Sequence, residues 1–508
     1  MPALPWWLLA VFVLGINFAV WGAIGVIRLT ETRTSGLSRL RTAKRLRPVR
    51  SRAGLPARTE GGDGQPAGWK ASLGVSDVAV LIPAHNEAEV IEASLDSITK
   101  LVPRQNVHVV SDGSTDDTPE LARQAGVRVY ETEHNVGKAG ALRAALDHFR
   151  LIEAYPVVLL LDADTRIQPG YFTAALPLFD EPEVVAVAGC VRTARDRQLS
   201  VSGNVLVGHR QRIYAIGQRA LKFGQTYLRV NATHIVPGFA SMYRTDVLPL
   251  MDMNPPGLVI EDFNMTFEVY QKQLGKVAFT LSAVAVTQDP DNLRDYVRQT
   301  RRWAVGLWQT VRRHPPKANL FTAMLALLLF ELITSSVIFL ILPLVVAVLA
   351  IPDVDAGTLT WPGFAELHAV VAAHMTLSAV LFGVALPDYA MTCLVAALER
   401  RPRLLLVGVF FPLMRVIDAA IALSAVPAGW LVRSDGTWRS PSRRSVQAPQ
   451  DRPAITGGQN GADGLAGVGG QAGLGATTGL VRATGAGLQR LESSNSSGFA
   501  PERGHASG

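Results

Sequence analysis

"VVLLLDAD", residues 157–164, is an apolar run that stops on two carboxylates one residue apart. Five consecutive aliphatic residues with no polar alternation read as a short strand covered on both faces, as in a parallel sheet. In open α/β sheets, ligands bind beyond the carboxyl ends of the strands. Asp162 and Asp164 stand at such an end. Two carboxylates so spaced suit a hard divalent cation that also holds phosphates. A solvated strand-to-loop turn would accommodate the same pair, because Asp is common in turns.

The neighbouring sequence repeats the pattern. "VAVLIPA" (78–84) and "VHVVS" (107–111) read as strands, "EVIEASLDSITKL" (89–101) and "KAGALRAALDHF" (138–149) as helices. Alternation of this kind predicts an α/β domain with a mostly parallel sheet over residues 77–290. Other strand ends carry polar groups: Asn86 and Glu87 after the first, Asp112 after the second. "NVGKAG" (135–140) sets Lys138 at a helix start, which suits a phosphate or an ordinary surface lysine. "VIEDF" (259–263) presents Glu261 and Asp262, an acidic pair that also favours a helix N-terminus. His85 reads as a loop histidine. No G-x-G-x-x-G follows the first strand, which argues against a Rossmann dehydrogenase.

The 508 residues are 48% hydrophobic and only 18% charged. Mean hydropathy is +0.20, too apolar for an ordinary soluble enzyme. The net charge is +7, but the basic residues cluster beside apolar segments, so nucleic acid is not an expected partner. The two cysteines, Cys190 and Cys393, form no CxxC, so neither a disulfide framework nor a zinc site is expected.

Residues 1–27 hold an uncharged stretch, Pro5–Ile27, long enough to span a bilayer. A signal peptide is the alternative, but no basic segment precedes it and no clear cleavage site follows. Nine basic residues between Arg28 and Arg52, opposed only by Glu31, predict that the chain from 28 onward is cytoplasmic and the N-terminus outside. Residues 28–76 form a basic, Gly/Pro-rich linker. Residues 318–432 hold apolar segments at 318–350, 367–398 and 404–432. The first has room for a surface helix plus a span, and the last could lie partly in the membrane plane. Arg415 and Asp418 interrupt the last, so they are expected to face protein or a polar path. The tail, 433–508, is rich in Gly, Ala and Ser and is expected to be disordered.

Between these regions, residues 291–317 carry "QTRRW" (299–303). Leu293, Tyr296, Val297, Thr300, Trp303, Leu307 and Val311 recur at helical spacing, the mark of an amphipathic helix. Gln299, Arg302 and Trp303 share one face of it. Alone, the stretch reads first as interfacial anchoring, the role that best explains Trp308, Arg312 and Arg313, and as a binding site second.

Taken together, the order Asp112, Asp162-x-Asp164, Glu261-Asp262 and Gln299-x-x-Arg302-Trp303, followed by apolar helices, resembles the membrane-integrated family 2 glycosyltransferases. That group contains cellulose, chitin, hyaluronan and poly-N-acetylglucosamine synthases. The similarity covers about residues 77–313. "VPGFASMYRTDVL" (236–248) and, more loosely, "GTWRSPSRR" (436–444) resemble the poly-N-acetylglucosamine branch. Ser111 stands where many members have a second Asp, Ile260 where Thr is commoner, and one N-terminal span where several members have more.

The resemblance implies a GT-A type nucleotide-sugar-binding domain joined to transmembrane helices. Asp112 would contact uridine, with Glu87 near the nucleoside. Asp162 and Asp164 would hold Mg²⁺ or Mn²⁺, and Lys138 and Arg302 the diphosphate. Asp262 would be the catalytic base, with Glu261, Gln299 and Trp303 on the acceptor side. The implied activity is an inverting, processive transfer from a UDP-sugar, with UDP-N-acetylglucosamine first in line, to a β-linked polysaccharide. A non-processive transferase acting on a lipid is the alternative, and a non-catalytic scaffold a third reading. The implied setting is a multi-pass protein of the plasma membrane, in contact with its lipids, with a cytoplasmic catalytic domain and room for accessory export proteins.

Overall fold

In a computed structural model, the chain is described over residues 5–38, 60–61, 65–66, 72–194 and 199–433. Most of the expected linker, and the expected tail beyond Arg433, lie outside these residues.

The chain begins with helices α1 (Trp6–Leu14) and α2 (Ile16–Ser38). Gly15 separates them at φ +86°, a left-handed conformation that glycine adopts without a Cβ penalty. The axes bend by 65°, so the stretch expected to be one transmembrane helix is a bent pair of helices. The α/β domain follows, with β1 (Val78–Ala84), α3 (Ile91–Thr99), β2 (Val107–Asp112), α4 (Thr118–Gln124), β3 (Arg128–Thr132) and α5 (Gly137–His148). It continues with β4 (Val157–Leu161), β5 (Arg166–Ile167), β6 (Val184–Thr193), α6 (Val201–Ile216), β7 (Ala240–Arg244), α7 (Asp262–Gln271) and β8 (Lys276–Thr287).

The eight strands form one sheet in the order β3-β2-β1-β4-β7-β6-β8-β5. β3–β2, β2–β1, β1–β4 and β6–β8 pair in parallel. β4–β7, β7–β6 and β8–β5 pair antiparallel, so the sheet is mixed. Every residue of β1 is buried, which explains its unbroken apolar run. Val78, Val80, Ile82 and Ala84 pack into one hydrophobic layer, and Ala79 and Leu81 into the layer on the other face. Pairing of Ala84 with Ser111 and of Leu81 with Leu160 brings the carboxyl ends of β1, β2 and β4 to one edge. Asp112 and the Asp162–Asp164 turn therefore open onto the same side.

Helix α8 (Leu293–Arg313) leads from the sheet to the apolar helices α9 (Leu320–Val354), α10 (Leu377–Leu398) and α11 (Arg403–Leu431). Asn292 caps α8 by accepting from the Asp295 N–H at 2.9 Å. The three later helices are each long and apolar enough to cross a membrane, and the bent α1–α2 pair would make a fourth span. α9 is one 35-residue helix, not a surface helix followed by a span. At 1.5 Å per residue it reaches about 50 Å, well past a hydrocarbon core of about 30 Å.

The charges in the last segment face protein. Arg415 pairs with Asp388 of α10 at 2.8 Å, and Asp388 also takes Arg212 of α6 at 2.7 Å. Asp418 accepts from the Tyr296 hydroxyl of α8 at 2.7 Å and lies 2.8 Å from His209 Nε2 of α6. These contacts join the α/β domain to the apolar helices, because an unpaired charge there would be costly.

Candidate active site

The donor-side residues gather where β1, β2 and β4 end. Asp112 is fully buried. Its Oδ1 accepts from the Val136 N–H at 2.8 Å and the Thr132 hydroxyl at 3.0 Å. Its Oδ2 is buried and has no hydrogen-bond partner among the described residues. A buried acceptor in that state is costly unless a donor meets it. Glu87, after β1, is also buried, and its backbone N–H donates to Thr118 Oγ1.

Asp162 and Asp164 lie in the turn after β4. The Asp162 N–H donates to the Phe239 carbonyl, which ties the turn to the loop before β7. Asp164 is buried, and its Oδ1 accepts from Thr165 Oγ1 at 3.0 Å and Thr287 Oγ1 at 3.3 Å. Two carboxylates one residue apart match the donor chemistry of a hard cation. Among the described residues, no group of three or more His, Cys, Asp or Glu side chains could enclose a metal ion by itself.

Lys138, in the first turn of α5, joins the two halves of the site. Its Nζ lies 2.8 Å from Asp162 Oδ1 and 2.9 Å from Glu261 Oε1. Burial disfavours the ammonium, but the two carboxylates outweigh it and raise its pKa, so it stays protonated. Glu261 is held below the usual carboxylate range: burial opposes its charge, and Lys138 and Arg302 prevail. Asp162 is raised by burial and by Asp164, against the pull of Lys138.

Asp262 opens helix α7. Its Oδ1 accepts from the Phe263 N–H at 2.7 Å, and Oδ2 from the Gly238 N–H at 3.3 Å. Burial, with the adjacent Glu261 charge, pushes it up to about 6. Gly238 lets the backbone pass close by: a Cβ there would lie 3.1 Å from Lys138 Nζ and 3.2 Å from Glu261 Oε1.

The α8 face carries Gln299, Arg302 and Trp303, all half-buried. Gly306, one turn on, brings α8 against the residue before the acidic pair: a Cβ there would sit 2.1 Å from Ile260 Cγ2. Trp303 packs with a hydrophobic cluster that includes Ile260, Phe263 and Trp21 of α2. The helix therefore lies beside Glu261–Asp262 and shares a hydrophobic cluster with the N-terminal apolar helix.

Two residues escaped the sequence reading. Arg210 of α6 sits against Gln299 and Trp303, and only its place in an otherwise apolar-flanked "HRQR" hinted at burial. Lys222, at the end of a π-helical turn over Gly217–Lys222, is buried, and burial pulls it down to about 8 against the attraction of Asp262.

Residues 79–249 match the family model described as Glycosyl transferase family 2. The chain carries a family 2 glycosyltransferase domain. The uncharacterized glycosyltransferase YaiP of Escherichia coli is 30% identical over 247 residues, 47% of this chain and 58% of that protein. A dolichyl-phosphate hexose transferase of Haloferax volcanii is 34% identical over 105 residues, 21% of this chain and 44% of that one. The hyaluronan synthase of Streptococcus pyogenes is 25% identical over 246 residues, 44% of this chain and 56% of the synthase. The chain thus spans about half the length of these curated relatives. Among solved structures, the mannosyltransferase PcManGT from Pyrobaculum calidifontis, in complex with GDP-Man and Mn²⁺, is similar over 82% of this chain and 99% of that one, at 18% identity and a TM-score of 0.43. The family 2 match begins in β1 and closes after β7, so it contains Asp112, Lys138, Asp162 and Asp164 but stops short of Asp262 and α8.

Proposed function

We propose that this family 2 glycosyltransferase is an inverting enzyme that transfers a sugar from a UDP-sugar to a β-linked polysaccharide growing at a membrane. One observation carries the reading. A single ammonium, Lys138, bridges a carboxylate of the Asp162–Asp164 pair and the acidic pair that contains Asp262. The diphosphate end of a donor and the acceptor hydroxyl would then meet within one side chain's reach.

In this reading the orphaned Asp112 Oδ2 receives the imide N–H of uracil. Asp162 and Asp164 would hold Mg²⁺ or Mn²⁺, which when bound neutralises the leaving diphosphate. Lys138 and Arg302 add positive charge at the same end. Asp262 takes the proton of the acceptor hydroxyl as that oxygen attacks the anomeric carbon from the face opposite the diphosphate. Bond formation and departure on opposite faces turn an α-linked donor into a β-linked product. An ionisation near 6 leaves Asp262 charged, and so ready to accept the proton, at neutral pH. Gln299 and Trp303 would meet the acceptor sugar.

UDP-N-acetylglucosamine remains the first donor to try, and the poly-N-acetylglucosamine branch the first relative to compare. The polymer reading is supported by the S. pyogenes hyaluronan synthase and by the apolar helices that follow α8 directly. The dolichyl-phosphate hexose transferase keeps a lipid acceptor as the second reading. The basic stretch after Ile27 and the cytoplasmic supply of nucleotide sugars support a catalytic domain on the cytoplasmic side of the plasma membrane. The full-length protein in lipid would be given radiolabelled UDP-sugars with Mg²⁺ or Mn²⁺, and the product sized and digested with linkage-specific hydrolases. A long product that a β-specific hydrolase degrades supports the proposal. A single sugar on a lipid overturns the polymer reading, and no transfer from any UDP-sugar overturns the donor class.

A further inference from the structure

Arg210 is a buried cation that makes no ion pair among the described residues. It is 3% exposed and lies between two aromatic rings, with Cζ 4.5 Å from the Tyr296 centroid and 4.6 Å from that of Trp303. Nη2 donates to Thr300 Oγ1 at 2.9 Å and to Gln299 Oε1 at 3.3 Å, and Nε has no partner among the described residues. All four of these neighbours belong to α8, whereas Arg210 comes from α6. Burial disfavours this guanidinium, and Tyr214, Tyr296, Asp289 and Asp418 offset that at longer range without pairing with it; a methionine would fill the same space without needing them. The charge must therefore do something that packing alone does not.

We infer that Arg210 is a positioning residue that fixes which way Gln299 and Trp303 face the acceptor. A guanidinium only donates, so it admits only the oxygen end of the Gln299 amide. The Nε2 end is thereby turned away from Arg210, so Gln299 presents its N–H donors to an acceptor sugar. The same guanidinium covers one face of the Trp303 indole, so a sugar ring can stack only on the other. Tyr296, which closes the sandwich, donates to Asp418 of α11, so the arrangement is tied to an apolar helix. This inference rests on the proposed acceptor role of Gln299 and Trp303 and names what sets their polarity.

The test uses full-length protein in lipid, with turnover of UDP-N-acetylglucosamine and titration of UDP as separate readouts. Arg210→Met should cut turnover at least tenfold while UDP affinity stays within twofold. Gln299→Leu should cost about as much, and the double variant no more than the worse single one, because both remove the same oriented amide. Arg210→Lys, which still donates to Oε1 but lacks the planar fork, should recover part of the loss. If Arg210→Met does not fold, Gln299→Glu decides: it keeps an oxygen toward Arg210 but turns the outward donor into an acceptor, and should be as slow as Gln299→Leu. Near-normal turnover in Arg210→Met or Gln299→Glu, or losses that multiply in the double variant, would overturn the inference. Asp262→Asn separates the two levels: if it too turns over normally, the proposed function falls, whereas an inactive Asp262→Asn beside normal Arg210 variants sinks this inference alone.

Discussion

The ionisation of Asp262 makes a prediction that can be followed in both rate and stability. Burial and the neighbouring Glu261 charge raise this carboxyl from 3.8 to about 6. A base must be ionised to accept a proton, so kcat/KM should follow the carboxylate fraction: roughly half at pH ~6 and about a tenth at pH ~5. Glu261→Gln removes one of the charges that raise Asp262, so the acid limb should move to lower pH. For stability the sign is the reverse of the usual aspartate. The folded state holds the proton more tightly than the unfolded chain, so this group favours folding below its unfolded pKa. That contribution is lost as pH rises through about 6. A displacement of about two pH units is worth at most about 3 kcal/mol. Asp262→Asn should therefore abolish transfer, leave UDP binding nearly intact, and raise the melting temperature at pH ~8 but not at pH ~4. Initial rates by UDP release across pH, and melting followed by tryptophan fluorescence in detergent, measure the two arms. An acid limb near pH ~4, or a base-removed variant that still turns over, would refute the reasoning.

Other perturbations test separate parts of the site. Gly306→Ala drives a methyl into Ile260 Cγ2, where only 2.1 Å is free; it should cost about 1–3 kcal/mol of stability and slow turnover, and Ile260→Ala in the same chain should restore both. Asp112→Ala removes the buried acceptor proposed for the base, and UDP titration should show affinity falling about 10–100-fold. Chelation with EDTA should stop transfer, Mg²⁺ or Mn²⁺ should restore it, and Asp164→Asn should weaken metal-dependent UDP binding itself. Asp388→Asn leaves Arg212 and Arg415 without their shared carboxylate, and thermal unfolding should show a loss of about 3–5 kcal/mol.

Much of this protein was legible in the chain because its signals are local. A strand buried on both faces has to be apolar at every position, so "VAVLIPA" and "VVLLLDAD" announce themselves. Helix α8 follows from a spacing set by the geometry of a helix. The carboxylates stand where strands end, and a short motif records that without any tertiary contact. Tertiary structure alone decided which strand lies beside which, and that β7, inserted antiparallel between β4 and β6, makes the sheet mixed. It also decided that the N-terminal apolar stretch bends by 65° and that α9 runs unbroken, since hydropathy measures affinity for lipid and not direction. The bridging role of Lys138 and the contacts of Arg210 depend on residues tens to more than a hundred positions apart, and the raised ionisation of Asp262 depends first on burial. No local pattern encodes such distances. A charge's energy depends on what surrounds it in space, and that environment exists only once the chain has folded.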